Sequence, residues 1–209
     1  MPRLSLALYK NAHTRRWGGV GSPRGSARGG VWSAHGDARA TLGESLGIGH
    51  QVLKLNQQGD VVMRLGQAGI WGDDASHLNG PSGVVVAPNG DIWVSDGHRG
   101  GNNRIVKFAS NGAFLLDVGG GVGSESKEAA RFSDPHDIKM DSQGRVFVAD
   151  RGNSRIQVFD QEGNLVGSWG GPGTETGDYE WPVSNHGLTV DGMDNVWIGG
   201  NGGSDSHVL

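Results

Sequence analysis

From about residue 49 onward the chain alternates apolar and polar positions in runs of five or six residues, broken by Asn-Gly, Gln-Gly and Glu-Gly pairs. A period of two with turn residues at regular intervals predicts short half-buried strands joined by tight hairpins, and leaves little place for helix. The clearest unit runs from Ser133 to Phe159, SDPHDIKMDSQGRVFVADRGNSRIQVF. It contains an alternating run, a Gln143-Gly144 turn, a β-branched and aromatic run ending in Ala149-Asp150-Arg151, and a further run after Gly-Asn-Ser.

The unit recurs. Pro81 stands fifty-four residues before Pro135, Asn89-Gly90 matches Gln143-Gly144, and DIWVSD (Asp91 to Asp96) matches RVFVAD (Arg145 to Asp150). A further copy opens fifty residues after Pro135 with NHGLTVDGMDNVWIGG, Asn185 to Gly200. Repetition at this period points to stacked supersecondary units. The second copy predicts four strands, at Ser82 to Ala87, Asp91 to Ser95, Arg104 to Phe108 and Ala113 to Val118. A lone four-stranded sheet cannot bury its own faces, so neighbouring units must stack, as propeller blades do.

Residues 1–45 break the pattern: NAHTRRWGGVGSPRGSARGG has no strand period and reads as a disordered leader ahead of a propeller segment at 46–209. GHQVLKLNQQGDVVMRLGQ, Gly49 to Gln67, then reads as a blade met at its third strand. The last copy supplies two strands and reaches SDSHVL as a third begins. The expectation is an all-β partial propeller with two complete and two incomplete antiparallel blades. Rings close with about four to eight blades, so the chain reads as a fragment that does not close alone.

Composition narrows the function classes. The 209 residues include 39 glycines without a collagen period and seven tryptophans, which suits an all-β protein with many turns. Eighteen basic against 22 acidic residues give a net charge of −4, which offers no footprint for nucleic acid or an anionic membrane. Absent cysteine excludes disulfides and thiolate metal sites. No apolar run is long enough to span a bilayer, and LSLALY gives way too soon to Lys10, Arg15 and Arg16 for a signal peptide. The expected partner is a small molecule or peptide, or another protein.

The pattern PxGVxVxPxGxxxVxDxxNxRIxxF with a following glycine-bounded strand resembles the NHL repeat throughout residues 49–209. Within that group HQVLKL (His50 to Leu55), VSDGHRGGNNRIVKF (Val94 to Phe108), DPHDI (Asp134 to Ile138) and VADRGNSRIQVF (Val148 to Phe159) are similar to the lyase domain of peptide-amidating enzymes. The resemblance implies a zinc ion held by histidines that follow a proline at innermost strands, with an open position that polarises the carbinolamide oxygen. It also implies calcium, without assigning ligands, and a secreted or periplasmic setting.

On that basis His136 falls on the metal motif and His186 occupies the same place one blade later. Arg151, in ADR, would bind the carboxylate or glyoxylate end of the substrate. His98 stands where the family carries its catalytic tyrosine, and an imidazole cannot simply replace a phenol. Each residue also has a structural reading: the histidines as hydrogen-bonded strand starts, Arg151 and Arg104 as ion-pair partners of Asp150 and Asp96, Asp137 and Asp191 as turn caps. His50, His77 and His207 read as surface or structural. The rival function is a non-catalytic binding scaffold.

Overall fold

The computed structural model describes residues 31–35, 49–171, 180–206 and 208–209. Within them the chain is all-β, and the alternating runs become antiparallel strands. β4 (Pro81–Val86), β5 (Ile92–Asp96), β6 (Asn103–Phe108) and β7 (Phe114–Gly120) form one four-stranded sheet in sequence order. β8 (Pro135–Met140), β9 (Val146–Asp150), β10 (Arg155–Phe159) and β11 (Leu165–Gly170) form the next. These are the two complete blades, and β4 to β7 lie within two residues of the bounds predicted for that copy.

β12 (Asn185–Val190) and β13 (Val196–Gly200) begin a further blade. Its third strand starts where expected, since Ile198 and Leu209 exchange two backbone hydrogen bonds of 2.8 and 3.0 Å. At the other end β1 (Val31–His35), β2 (Gln51–Leu55) and β3 (Val61–Gly66) form a three-stranded sheet. β1 is a correction, because it lies inside the stretch read as a strandless leader. Val31 pairs with Leu55 and His35 with Gln51, so among the described residues this blade is met at its second strand rather than its third. The rest of the 1–45 expectation falls on residues outside those described.

The second strand of each complete blade, IWVSD in β5 and VFVAD in β9, is buried at every position. β-branched and aromatic residues suit a strand covered on both faces. Its two faces feed two different cores. Ile92 and Val94 join Val52, Leu65 and Phe108 between the first and second sheets, while Trp93 and Ile105 join Ile138, Val148 and Phe159 between the second and third. Phe147, Ile156, Leu188 and Ile198 repeat the arrangement one blade on. Sheets stacked in this way are a partial NHL-type β-propeller. No helix among the described residues is long and apolar enough to cross a membrane.

Arginines, one of them buried, lock the connections between blades. Arg104 lies across from Asp96 in the ladder and its Nε donates to Asp96 Oδ2 at 3.1 Å. The rest of its guanidinium donates to the carbonyls of Asp73, Asp74 and His77 in the loop before β4. Arg155 repeats this with Asp150 and the carbonyls of Lys127, Glu128 and Arg131. Both carboxylates also cap a backbone N–H, of Asn79 and Ser133 respectively.

Candidate functional site

The innermost strands β4, β8 and β12 lie side by side, and their starts converge. Ser82 and His136 hold equivalent places on β4 and β8. Ser82 Oγ donates to the Pro135 carbonyl at 2.9 Å, and His136 Nδ1 lies 2.9 Å from the His186 carbonyl. Asp137 Oδ2 adds a third link by accepting the Leu188 N–H at 3.1 Å, so the aspartate ties two blades together. Register therefore brings the repeat-equivalent histidines together.

Three of the residues singled out on sequence form a row of rings. His136 and His186 lie one over the other, with centroids 3.9 Å apart and planes inclined by 36°. His98 meets His136 edge to face, with centroids 4.6 Å apart at 83°. His98 reaches the row because Gly97 precedes it: any Cβ there would run into the Asn102 carbonyl and the Pro135 ring. The loop backbone is held by the N–H groups of Gly97 and His98, both donating to the Gly80 carbonyl.

The fourth residue, Arg151, joins the group through Asp134. Its Nη1 donates to Asp134 Oδ2 at 2.7 Å and its Nε to Ser184 Oγ at 3.0 Å. The expectation that it pairs with Asp150 is corrected, because Asp150 is taken by Arg155, which lies directly opposite it in the ladder. Arg104 does pair with Asp96, as expected. Asp134 opens the DPHDI stretch, but no role was expected of it there.

The electrostatics favour neutral imidazole at the centre of the row. Burial, with repulsion from His186 and His98, pushes His136 down to about 3. Because a carbonyl only accepts, the bond to His186 requires the proton on Nδ1 and leaves Nε2 as the lone pair. Burial alone would raise Asp134, but His98, the Arg99 N–H and Arg151 together hold it below its ordinary value.

That donor chemistry fits part of a zinc site: neutral imidazoles whose second nitrogen is held by an oxygen acceptor are the usual ligands and supports. It does not complete one. Among the described residues no three His, Asp or Glu side chains form a group arranged to hold a metal ion. Two further histidines take the structural alternative of the expected surface or structural reading. His50 is buried at the turn into β2 with φ 54°, and His77 is held by Asp74 beside a carbonyl that Arg104 uses. His207 lies outside the described residues.

The NHL repeat profile matches residues 78–108 and 132–159, one stretch on each complete blade. This chain carries NHL repeats. Human NHL repeat-containing protein 3 is 41% identical over 134 residues, covering 62% of this chain and 37% of that protein. Peptidyl-glycine α-amidating monooxygenase A of Xenopus laevis is 39% identical over 121 residues, covering 56% and 13%. A protein of Caenorhabditis elegans described as a probable peptidyl-α-hydroxyglycine α-amidating lyase is 36% identical over 112 residues, covering 53% and 31%. The chain thus spans less than two fifths of each relative. Among solved structures a streptogramin B lyase superposes with TM-score 0.50 at 19% identity, over 71% of this chain and 41% of that one, which supports the fold alone.

Proposed function

We propose that the NHL repeats of this chain carry a lyase-like site that binds zinc through His136 and His186 and cleaves the C–N bond of a peptidyl-α-hydroxyglycine, releasing glyoxylate. The observation behind this reading is the row of three imidazoles from successive blades, with a neutral His136 at its centre and Arg151 one carboxylate away. A zinc ion held by His136 and His186 would supply Lewis acidity toward the substrate hydroxyl. The remaining steps fall to the side chains. His98 takes the hydroxyl proton on Nε2 and returns it to the departing amide nitrogen as the C–N electrons leave with nitrogen and the carbonyl of glyoxylate forms. Arg151 orients the carboxylate end. Calcium rests on family resemblance alone and is assayed alongside.

The test is metal content of the purified full chain and of His136→Ala and His186→Ala, together with glyoxylate release from an α-hydroxyglycine peptide. Stoichiometric zinc lost in both variants, and glyoxylate production by the parent, support the reading. A folded, metal-free and inactive parent overturns it. One observation favours a second reading, a non-catalytic scaffold that binds a peptide or protein: His98 occupies the position of the lyase family's tyrosine. Saturable peptide binding without turnover is its signature.

A further inference from the structure

We infer that Asp134 is a positioning residue that fixes which nitrogen of His98 carries the proton and, through its other oxygen, where Arg151 points. Its two oxygens are divided between the two tasks. Oδ1 faces His98 Nδ1 at 3.3 Å and accepts the Arg99 N–H at 3.1 Å. Oδ2 accepts from Arg151 Nη1 at 2.7 Å. One carboxylate thus joins the β5–β6 loop to the turn after β9.

The backbone is built for this reach. Asp134 has φ 53°, in the left-handed region, and its N–H donates to Asn103 Oδ1 at 3.1 Å. Arg99, whose N–H it accepts, has φ 57°. Aspartate and asparagine tolerate that conformation better than most residues. An ionised carboxylate only accepts, so a neutral His98 ring facing it carries hydrogen on Nδ1 and leaves Nε2 as the lone pair. His136 reaches the same arrangement through the His186 carbonyl. Two neighbouring imidazoles are therefore set to the same tautomer by different acceptors. Arg151 is braced from its far side by Ser184, whose hydroxyl donates to Asn201 Oδ1 at 2.8 Å.

This inference rests on the proposed function only for the substrate, because the tautomer belongs to the unliganded chain. The experiment is a two-bond 1H–15N correlation spectrum of the histidine rings in the labelled full chain, compared with Asp134→Asn and Arg151→Gln. Expected are His98 in the Nδ1–H form in the parent and in Arg151→Gln, and a mixed or inverted population in Asp134→Asn, whose single oxygen cannot serve both neighbours. Where the parent releases glyoxylate, Asp134→Asn loses about ten- to a hundredfold in rate, the range for residues that orient functional imidazoles. A parent His98 protonated on Nε2 overturns the inference, as does an unchanged population in folded Asp134→Asn. Should that variant not fold, the parent and Arg151→Gln spectra decide. Failure to find zinc or turnover overturns the proposed function and leaves the tautomer result standing.

Discussion

Gly200 leaves the space that the Asp205 carboxylate fills. A Cβ on Gly200 would collide with that carboxylate, which accepts the N–H groups of Val183, Ser184 and Gly202 at 2.9, 3.2 and 2.6 Å. In the complete blades the same task falls to the last residue of the second strand, Asp96 or Asp150, which caps Asn79 or Ser133. The third copy has Gly200 at that place and uses an aspartate five residues downstream.

Asp205→Ala should therefore behave like loss of a repeat aspartate. Three backbone donors lose their acceptor, a cost of about 1–3 kcal/mol. Gly200→Ala should cost a similar amount by overpacking. Their effects should not add, because both act on one carboxylate. Urea denaturation of the two single variants and the double variant checks this. The Ser184 N–H is among the donors, so Asp205→Ala should also loosen the brace on Arg151.

Arg104 is 1% exposed and its partner Asp96 is fully buried. Arg104→Met leaves that carboxylate without its counter-charge and frees three loop carbonyls, and should destabilise by about 3–5 kcal/mol. Lysine keeps the charge but not the planar fork that reaches Asp96, Asp117 and the loop together, so Arg104→Lys should fall between parent and methionine variant. The measurement is the denaturation midpoint, with the slope unchanged.

Much of this was legible on sequence, for reasons particular residues make clear. Asn89-Gly90 and Gln143-Gly144 mark hairpins, and the runs around them give strand identity and order. His136 and His186 converge because the repeat places them equivalently. What failed needed distant partners. Arg151 beside Asp150 invited the local pairing, whereas the ladder puts Arg155 opposite Asp150 and sends Arg151 to Asp134. Asp134 gains meaning only when three connections meet. β1 had a signal that composition hid: Val31-Trp32 matches Ile92-Trp93 and Val196-Trp197, but stands between glycine-rich and charged stretches.

Equivalent positions differ in what covers them. Phe147 is 1% exposed beneath the following sheet, whereas Trp197, its counterpart on β13, is 50% exposed. Phe147→Ala should cost about 3–5 kcal/mol, the range for a buried aromatic. Trp197→Ala should cost about 1 kcal/mol, chiefly its hydrogen bond to Asp191 at 3.1 Å. Thermal melts of the pair test the comparison, and equal losses would mean that Trp197 is covered in solution.

Asp191 closes the β12–β13 hairpin, and its titration should be visible in acid. The side chains of Asn195 and Trp197, with the N–H groups of Met193 and Asn195, lower its carboxyl to about 2. A folded value below the unfolded one means that the unfolded chain binds the proton more readily, so stability rises with pH across the interval. The contribution is fully present above the ordinary value of 3.8 and is lost as pH falls through about 2. Asp191→Asn cannot titrate, so the difference in melting temperature between parent and variant should shrink as pH falls from 5 toward 2. A parent-minus-variant difference that stays constant over that range would show that the carboxylate is not held in its charged form by the hairpin.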